Sequence, residues 1–381
     1  MQKRIGQIDA MKLICAFFVV TIHIVMAYRI QDGVISEHVL FGESFVRCCV
    51  PVFFMCSGYF LFSKDRSIKK IYKKLLLSLV LPTLATILFW FVFNDVIENQ
   101  NTVLGCIKNI RLESFVQLLR GLLNWDYSMV QNGFYLWFMF ALIKIYIAYP
   151  VIKLLCVDEP ERNKIRRYVM VLLGIFEILF PTIESLTNNN LMLYGYSVFC
   201  DYSFLYIFLG YEFYLFFRKN DIRRSWSLYG LCAYIAGSLL TYFASVFIDI
   251  PYDGMFNELF SNYNSCFVFI ASVGFFMFFR NMKFTNMKID GIISFLGKRT
   301  FVLYLIHYMV IRVITCYGGM SFMIQRLPRP VFYVGAIVLC YALALVIAMI
   351  LHGCTRVIGK LFLRALHETK NVFEKQNEKS V

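Results

Sequence analysis

The chain has 381 residues, of which 59% are hydrophobic and 16% are charged. Because about one-quarter of the residues in a soluble domain are charged, this composition excludes an ordinary soluble domain and indicates a membrane protein. The formal net charge of +14 does not indicate a nucleic-acid partner, since the basic residues lie in short loops between apolar runs. Most of the twelve cysteines are isolated inside apolar runs, and without a CxxC pair the sequence predicts no metal site.

About ten apolar segments approach the length of roughly 20 residues that a helix needs to cross a bilayer. We therefore predict an all-α integral membrane protein with about ten transmembrane helices. The segments 166–182 and 202–217 are the weakest, since they are short and contain Glu177 and Glu212. In chain order the predicted spans are 10–29, 45–63, 75–93, 133–155, 166–182, 202–217, 226–248, 263–280, 300–316 and 331–352.

The loop charges predict the orientation of these spans. Lysine and arginine concentrate in the loops 64–74, 162–167 and 218–224, whereas the intervening loops 183–201 and 249–262 contain neither residue. Because basic loops stay on the cytoplasmic side, this alternation requires an even number of spans and places both termini in the cytoplasm. The sequence thus predicts a multi-pass protein of the cytoplasmic membrane.

Two further segments are amphipathic. In the outer loop 94–132, apolar residues at helical spacing accompany Arg111 and Arg120, which predicts a helix on the outer membrane surface or dipping into the bundle. Residues 356–381 are predicted to form a cytoplasmic amphipathic helix followed by a polar tail. They lie outside the predicted transmembrane domain of residues 1–355.

Ionisable residues inside a span are costly and are therefore candidates for function. His23 follows Lys12 by eleven residues in the first span. This separation places the imidazole roughly 16 Å deeper on nearly the same helix face. Asp9 precedes Lys12 by one turn and can pair with it. The result is a polar stripe from the cytoplasmic end to a buried histidine, although a histidine that bonds a neighbouring helix is an equal alternative.

His307 is a second histidine inside a predicted span. It lies eight residues after Arg299, so its depth from the cytoplasmic end is roughly 12 Å, comparable with that of His23. Tyr304 precedes it by about one turn. The sequence leaves open whether the two histidines face one cavity.

Three other features have an ordinary explanation in a membrane protein. Topology alone accounts for the basic run 69–74, although it also suits a phosphorylated cytoplasmic ligand. Pro51 and the pair Ser57 and Gly58, inside the second span, indicate a kink and a close helix approach. Trp137, at the outer start of the fourth span, is typical of an interfacial aromatic belt.

Taken together, these residues resemble the acyltransferase 3 family of membrane-bound enzymes, and the resemblance covers about residues 4–350. Its most specific element is a basic residue, ten intervening residues and a histidine in the first helix, which Lys12 and His23 match. The other matching elements are 51–59, 135–138 and 297–307, with Thr300 where the family commonly has serine.

The resemblance implies transfer of an acyl group, commonly acetyl, from acyl-CoA to a hydroxyl of a cell-envelope carbohydrate. Acyl-CoA is then a co-substrate at the cytoplasmic face, the acceptor is an envelope glycan or a lipid-linked sugar, and no cofactor is permanently bound. The family commonly has Arg-x-x-Arg entering its third helix, where this chain has Lys70 and Lys73. Lysine keeps the positive charge but loses bidentate phosphate binding.

These considerations give each candidate residue a role. His23 is the general base or covalent carrier of the acyl group. Lys12 binds the phosphates or the thioester end of the donor, and Asp9 orients Lys12. The residues predicted to bind CoA are Lys70 and Lys73, and those predicted to contact the substrate are Tyr304, His307, Ser57 and Trp137.

Two other classes of function fit the same composition. A transporter or flippase for a lipid-linked or polymeric glycan would use the intramembrane charges to bind its substrate. The lack of a visible internal repeat and the common face of Lys12 and His23 count against that class. A catalytically silent sensor domain is the third possibility.

Overall fold

The computed structural model describes residues 6–31, 34–108, 111–126, 128–187, 201–220, 224–250, 257–282 and 287–378. Within these ranges the chain is almost entirely helical. A short hairpin of two antiparallel strands, β1 (Ile30–Gln31) and β2 (Val34–Ile35), follows the first helix. The predicted all-α class is therefore confirmed for the described part of the chain.

The helices vary from one-turn segments to a helix of 50 residues. In chain order they are α1 (Gly6–Tyr28), α2 (Glu37–Val46), α3 (Cys49–Leu61), α4 (Ile68–Leu75), α5 (Leu81–Glu98), α6 (Val103–Lys108), α7 (Leu112–Leu123), α8 (Trp137–Ile147), α9 (Tyr149–Leu155), α10 (Pro160–Gly174), α11 (Phe180–Leu186), α12 (Tyr202–Lys219), α13 (Arg224–Ala244), α14 (Cys266–Arg280), α15 (Met287–Gly297), α16 (Thr300–Cys316), α17 (Gly319–Arg326) and α18 (Arg329–Glu378).

Several helices continue into one another and form candidate membrane spans. Six stretches of the described chain are long and apolar enough to cross a membrane, and two bent helix pairs bring the total to as many as eight. The pair α8 and α9 bends by 68°, and the pair α15 and α16 bends by 61°. The six continuous stretches are Gly6–Tyr28, Glu37–Leu61, Ile68–Glu98, Pro160–Leu186, Ser225–Asp249 and Arg329–Gly353.

This count of six to eight is smaller than the predicted ten. Every predicted span is helical, but α12 and α14 do not meet the length and hydropathy requirements. Helix α12 ends in Arg218 and Lys219 and contains Glu212, which accepts hydrogen bonds from the fully buried Arg166. Helix α14 has only 15 residues. Because both helices pack against other helices of the bundle, they do not need a long apolar surface towards lipid.

Close backbone contact joins α12 to α3. Gly58 of α3 faces the carbonyl of Ile207, and Gly210 of α12 faces the carbonyl of Met55. A Cβ atom at either glycine would overlap the opposing backbone. Small residues of this kind let membrane helices approach closely and gain dispersion contacts, as the sequence predicts for Gly58.

Two spans pass through a proline without breaking. Pro82 lies at the second position of α5 and Pro181 at the second position of α11, and a π-helical turn precedes each of them. Proline has no N–H and clashes with the carbonyl one turn earlier, so a wider turn lets the helix continue. The π-helical turns are Leu76–Val80 and Ile175–Leu179.

The structure describes one of the two segments predicted to be amphipathic more fully than the other. Residues 94–132, predicted to contain one amphipathic helix, contain the end of α5 and two short helices, α6 and α7. Helix α7 buries Leu118 while Leu112 and Leu123 are exposed. The outer location of this segment stays a prediction. Helix α18 continues to Glu378, but the side chains beyond residue 353 lie outside the described part of the structure. The amphipathic character of residues 356–381 therefore stays a prediction.

Candidate active site

Helix α1 lies at the centre of the bundle, where it contacts α2, α3, α14, α15, α16 and α18. Its apolar residues are buried on several sides, among them Ile8, Met11, Val20 and Ile24. Polar side chains on this helix are therefore enclosed by protein rather than by lipid. Two cavities, at different levels of the bundle, open onto them.

The first cavity, which we call the basic cavity, has a volume of about 480 Å³. Three lysines from three different segments line it: Lys12 from α1, Lys74 from α4 and Lys298 from the bend between α15 and α16. Ser57 and Tyr304 also line it. The cavity therefore combines several ammonium groups with hydroxyl groups.

The second cavity, which we call the histidine cavity, has a volume of about 320 Å³. His23 lines it together with polar and aromatic side chains from five other parts of the chain. These side chains belong to Arg47, Phe134, Tyr135, Trp137, Tyr202, Glu258, Asn262, Tyr263 and Tyr304.

Lys12 and His23 thus lie in different cavities along the same helix. Tyr304 lines both cavities and marks the wall that they share. Its hydroxyl donates a hydrogen bond to the carbonyl of Tyr135, and its ring packs edge-on to Phe138 with centroids 5.3 Å apart. The polar stripe predicted on α1 therefore connects two chambers rather than lining one.

His23 and His307 do come together. Their ring centroids are 5.1 Å apart, although they belong to α1 and α16. His307 is fully buried, and its Nδ1 lies 2.5 Å from the carbonyl oxygen of Tyr304. A carbonyl can only accept, so Nδ1 carries the proton and Nε2 is left as an acceptor. Within the described residues, Nε2 of His307 has no hydrogen-bond partner.

Tyr135 is held firmly against α16 and the histidines. Its hydroxyl donates to the carbonyl of Leu305 at 2.7 Å and accepts a hydrogen bond from Nε1 of Trp90 at 3.1 Å. The ring of Tyr135 lies edge-on to His307, with centroids 5.2 Å apart. Buried networks in which each member has a partner are rigid, so Tyr135 fixes one wall of the histidine cavity.

An ion-pair cluster that the sequence analysis did not identify forms another wall. Arg47 is 4% exposed and pairs with Glu43 on the same helical segment and with Glu258 at 3.0 Å. Arg29 also pairs with Glu258, at 2.7 Å. Glu43 and Arg47 are four residues apart near the start of an apolar span, a spacing that signals a pair and that we overlooked.

The remaining predicted site residues occupy the following positions. Asp9 pairs with Lys12 at 3.9 Å, as predicted from their spacing, and the Lys12 ammonium lies 4.8 Å from the ring centroid of Phe60. The Ser57 hydroxyl donates to the Phe53 carbonyl at 2.9 Å while facing the basic cavity.

Trp137 stacks on Tyr263 with centroids 5.5 Å apart, and both rings face the histidine cavity. Trp137 therefore lies on a cavity wall, and its position in an interfacial aromatic belt stays a prediction.

The two lysines predicted to bind CoA lie elsewhere. Lys70 and Lys73 are exposed and line neither cavity, whereas Lys74 lines the basic cavity and donates to the Tyr146 hydroxyl at 3.0 Å. Helix α4 buries Ile71 and Leu75, and each residue turns the helix by about 100°. Lys74 therefore lies beside the buried face, while Lys70 and Lys73 project away from it.

Comparison with known proteins defines the class. A family model described as an acyltransferase domain, acyltransferase 3, matches residues 5–349. The chain therefore belongs to the acyltransferase 3 family, as its motifs predicted, and is an acyltransferase. Neither the search of characterised proteins nor the search of solved structures finds a match.

Proposed function

We propose that the protein is a membrane-bound O-acyltransferase that moves an acyl group, commonly acetyl, from cytoplasmic acyl-CoA to a hydroxyl of a cell-envelope carbohydrate. The observation that carries the proposal is the pair of cavities that meet at Tyr304, one rich in lysine and the other built around His23. Such an arrangement keeps donor and acceptor apart until the reaction, as transfer between two sides of a membrane requires.

The basic cavity suits the donor. CoA carries several phosphate charges, and the ammonium groups of Lys12, Lys74 and Lys298 attract phosphates as point charges. The loops that these lysines adjoin also carry the charges that predict a cytoplasmic location. The donor would enter from that side, with its thioester directed towards Tyr304.

The histidine cavity suits a carbohydrate acceptor. The stacked rings of Trp137 and Tyr263 offer an apolar surface with polar edges, on which the face of a sugar ring can pack. Asn262, Glu258 and Tyr202 supply hydrogen-bonding groups for its hydroxyls. Aromatic walls combined with hydrogen-bonding groups can both pack against a sugar ring and bind its hydroxyls.

His23 supplies the chemistry in this proposal. As a general base it removes the proton of the acceptor hydroxyl while the oxygen attacks the thioester carbonyl. Collapse of the tetrahedral intermediate breaks the carbon–sulfur bond, and the CoA sulfur takes up the proton from His23. His307, whose Nε2 is an acceptor beside His23, would orient that ring or share its proton. The alternative role of His23, as covalent carrier, predicts an acyl-enzyme in the absence of acceptor.

The test uses the purified protein in lipid nanodiscs with radiolabelled acetyl-CoA and an envelope glycan fraction. We expect His23→Ala to reduce transfer about a hundredfold or more, the typical contribution of a general base. His38→Ala, which removes an exposed histidine of α2, is the matched control and should retain activity. Unchanged transfer by a folded His23→Ala protein would refute the role, and a wild-type protein that never labels glycan would favour the transporter class.

A further inference from the structure

A third cavity, which we call the aromatic cavity, has a volume of about 350 Å³ and belongs to neither chamber described above. It lies where the loop after α3, the end of α9 and the end of α12 meet. The side chains around it are aromatic, basic and acidic. They belong to Phe62, Ser63, Lys64, Asp65, Tyr149, Lys153, Cys156, Val157, Asp158, Tyr211, Tyr214 and Arg218.

Two pairs of stacked rings form the walls of the aromatic cavity. Phe62 and Tyr149 stack with centroids 5.5 Å apart and planes 9° from parallel. Tyr211 and Tyr214 stack with centroids 6.0 Å apart. Flat aromatic walls are the surfaces on which nucleobases stack, largely without regard to their identity.

A buried arginine behind the cavity makes these walls rigid. Arg166 is fully buried, and its guanidinium carbon lies 4.8 Å from the ring centroid of Tyr211. It donates to Glu212 and to the carbonyl of Leu155 at 2.7 Å. The cavity is therefore preorganised, which reduces the entropy lost when a ligand binds.

The charged groups at the mouth of the cavity have a positive balance. Lys153 pairs with Asp65 at 2.5 Å, and Asp158 pairs with both Arg218 and Lys219. Among the described residues at the mouth, basic groups outnumber carboxylates, since Lys64 adds a further charge. Asp65 is 86% exposed, so its pair with Lys153 is screened by water and a phosphate can replace it.

The aromatic cavity is a close neighbour of the basic cavity along two separate elements. Tyr146 lines the basic cavity and Tyr149 the aromatic one, across the bend between α8 and α9. At the end of α3, Phe60 lies under the Lys12 ammonium, whereas Phe62 belongs to the aromatic cavity. Three residues of helix span only about 5 Å, so the two cavities, which share no lining residue, are close enough for one elongated ligand to reach both.

We propose that the aromatic cavity binds the adenosine and phosphate end of acyl-CoA, while the basic cavity holds the rest of the donor up to its thioester. The proposal rests on the proposed use of acyl-CoA as donor. It assigns the nucleotide to stacked rings flanked by Lys153 and Arg218, rather than to the exposed lysines of α4. The phosphate of an anionic lipid would satisfy the same charges, but the aromatic walls favour a nucleotide.

The experiment compares two donors in nanodiscs: acetyl-CoA and S-acetyl-pantetheine, which lacks the nucleotide. Lys153→Ala and Arg218→Ala should each raise the KM for acetyl-CoA about tenfold, because one phosphate contact is lost, and leave the KM for S-acetyl-pantetheine within about twofold of wild type. Lys164→Ala is the matched control, because Lys164 forms an exposed pair with Glu161 away from the cavity. It should change neither KM.

A binding measurement separates this inference from the proposed function. Adenosine 3′,5′-bisphosphate should bind the wild-type protein and bind both cavity variants about tenfold more weakly, whether or not any acyl transfer occurs. Competition by phosphatidylglycerol or inorganic phosphate equal to that by the bisphosphate would refute nucleotide binding. A KM for acetyl-CoA that is unchanged in both variants, or equal losses with both donors, would also overturn the assignment. Failure of wild-type protein to use acetyl-CoA would instead refute the donor itself.

Discussion

At the scale of single residues, ionisable groups inside the predicted spans were the best indicators of the candidate active site. Lys12, His23 and His307 were identified because a charge or imidazole inside a span is costly unless it has a function. The structure places the two histidines side by side, which no sequence spacing could reveal. Arg47 is not among the predicted site residues because it lies at the predicted start of a span rather than deep inside one, even though that end is predicted to be on the outer side, where topology does not explain a basic residue.

The Arg47 cluster has a consequence for the dependence of stability on pH. Burial alone raises the pKa of Glu258, but Arg47 and Arg29 outweigh that effect and hold the pKa below its ordinary value of 4.5. A carboxylate with a lowered pKa stabilises the folded state above its unfolded pKa, and that contribution is lost as pH falls through the folded pKa.

We therefore expect Glu258→Gln to destabilise the protein at pH 7 and to flatten the loss of stability between about pH 5 and pH 3. The measurement is the thermal unfolding midpoint in detergent across that range, compared with wild type. Glu161→Gln removes an exposed carboxylate and should follow the wild-type curve. Parallel pH curves for wild type and Glu258→Gln would show that the cluster does not stabilise the fold.

At the scale of elements, the orientation of a short helix decides which lysines reach a cavity. The basic run of α4 contains four lysines between residues 69 and 74, and composition does not distinguish them. The buried positions of Ile71 and Leu75 fix the rotation of the helix. Lys70, Lys73 and Lys74 are all exposed, but Lys74 lies at the basic cavity, whereas the other two line neither cavity.

Lysine substitutions on α4 should reflect this orientation. We expect Lys74→Ala to raise the KM for acetyl-CoA about tenfold, because it removes a charge from the proposed donor site. Lys70→Ala and Lys73→Ala should change the KM by less than about twofold, since neither lysine lines the basic cavity and water screens their charges from it. Steady-state transfer assays at fixed ionic strength provide the comparison. A larger effect of Lys70 or Lys73 would restore the assignment made from the family motif.

The close contact between α3 and α12 is a second feature that depends on how two helices pack together. Gly58→Ala should lower stability by about 1–3 kcal/mol, because its Cβ atom would overlap the backbone of α12. Gly174→Ala is the control, since nothing lies within 4 Å of a Cβ atom at that position. There the loss of a glycine from a helix should be neutral or stabilising. Unfolding midpoints in detergent measure both variants, and equal stability of the two would contradict a tight α3–α12 contact.

At the scale of the whole molecule, the bundle separates two chambers that share one wall. Helix α1 passes both of them, and Tyr304 of α16 closes the space between them. The proposed reaction needs the donor chamber to face the cytoplasm and the acceptor chamber to face the envelope. That requirement links the chemistry to the predicted topology, in which an even number of spans keeps both termini in the cytoplasm.

Reporter fusions test that topology. We expect green fluorescent protein fused to either terminus to fluoresce. Alkaline phosphatase fused after residue 262 should be active, because the loop 249–262 contains no lysine or arginine. A phosphatase fusion after residue 220 should be inactive. Termini on opposite sides would rule out an even number of spans, and activity in the reverse pattern would rule out cytoplasmic termini.

The sequence by itself determined the class of the protein, the helical segments and the family. These follow from composition, from apolar length and from motifs within single segments, all of which are local along the chain. The Asp9–Lys12 pair was also predictable, because both partners lie one turn apart on the same helix. Gly58 indicated a close helix approach, but its partner helix α12 could not be predicted from the sequence.

The tertiary structure decided which distant side chains share a chamber. In the folded protein His23 lies beside His307, and Glu258 pairs with Arg47. Among the four lysines of α4, Lys74 lines the basic cavity. Helices α12 and α14 pack against other helices, so they need little apolar surface towards lipid. Each of these depends on how helices rotate and pack against one another. Because packing is set by contacts among residues far apart in the chain, spacing within one helix cannot specify it.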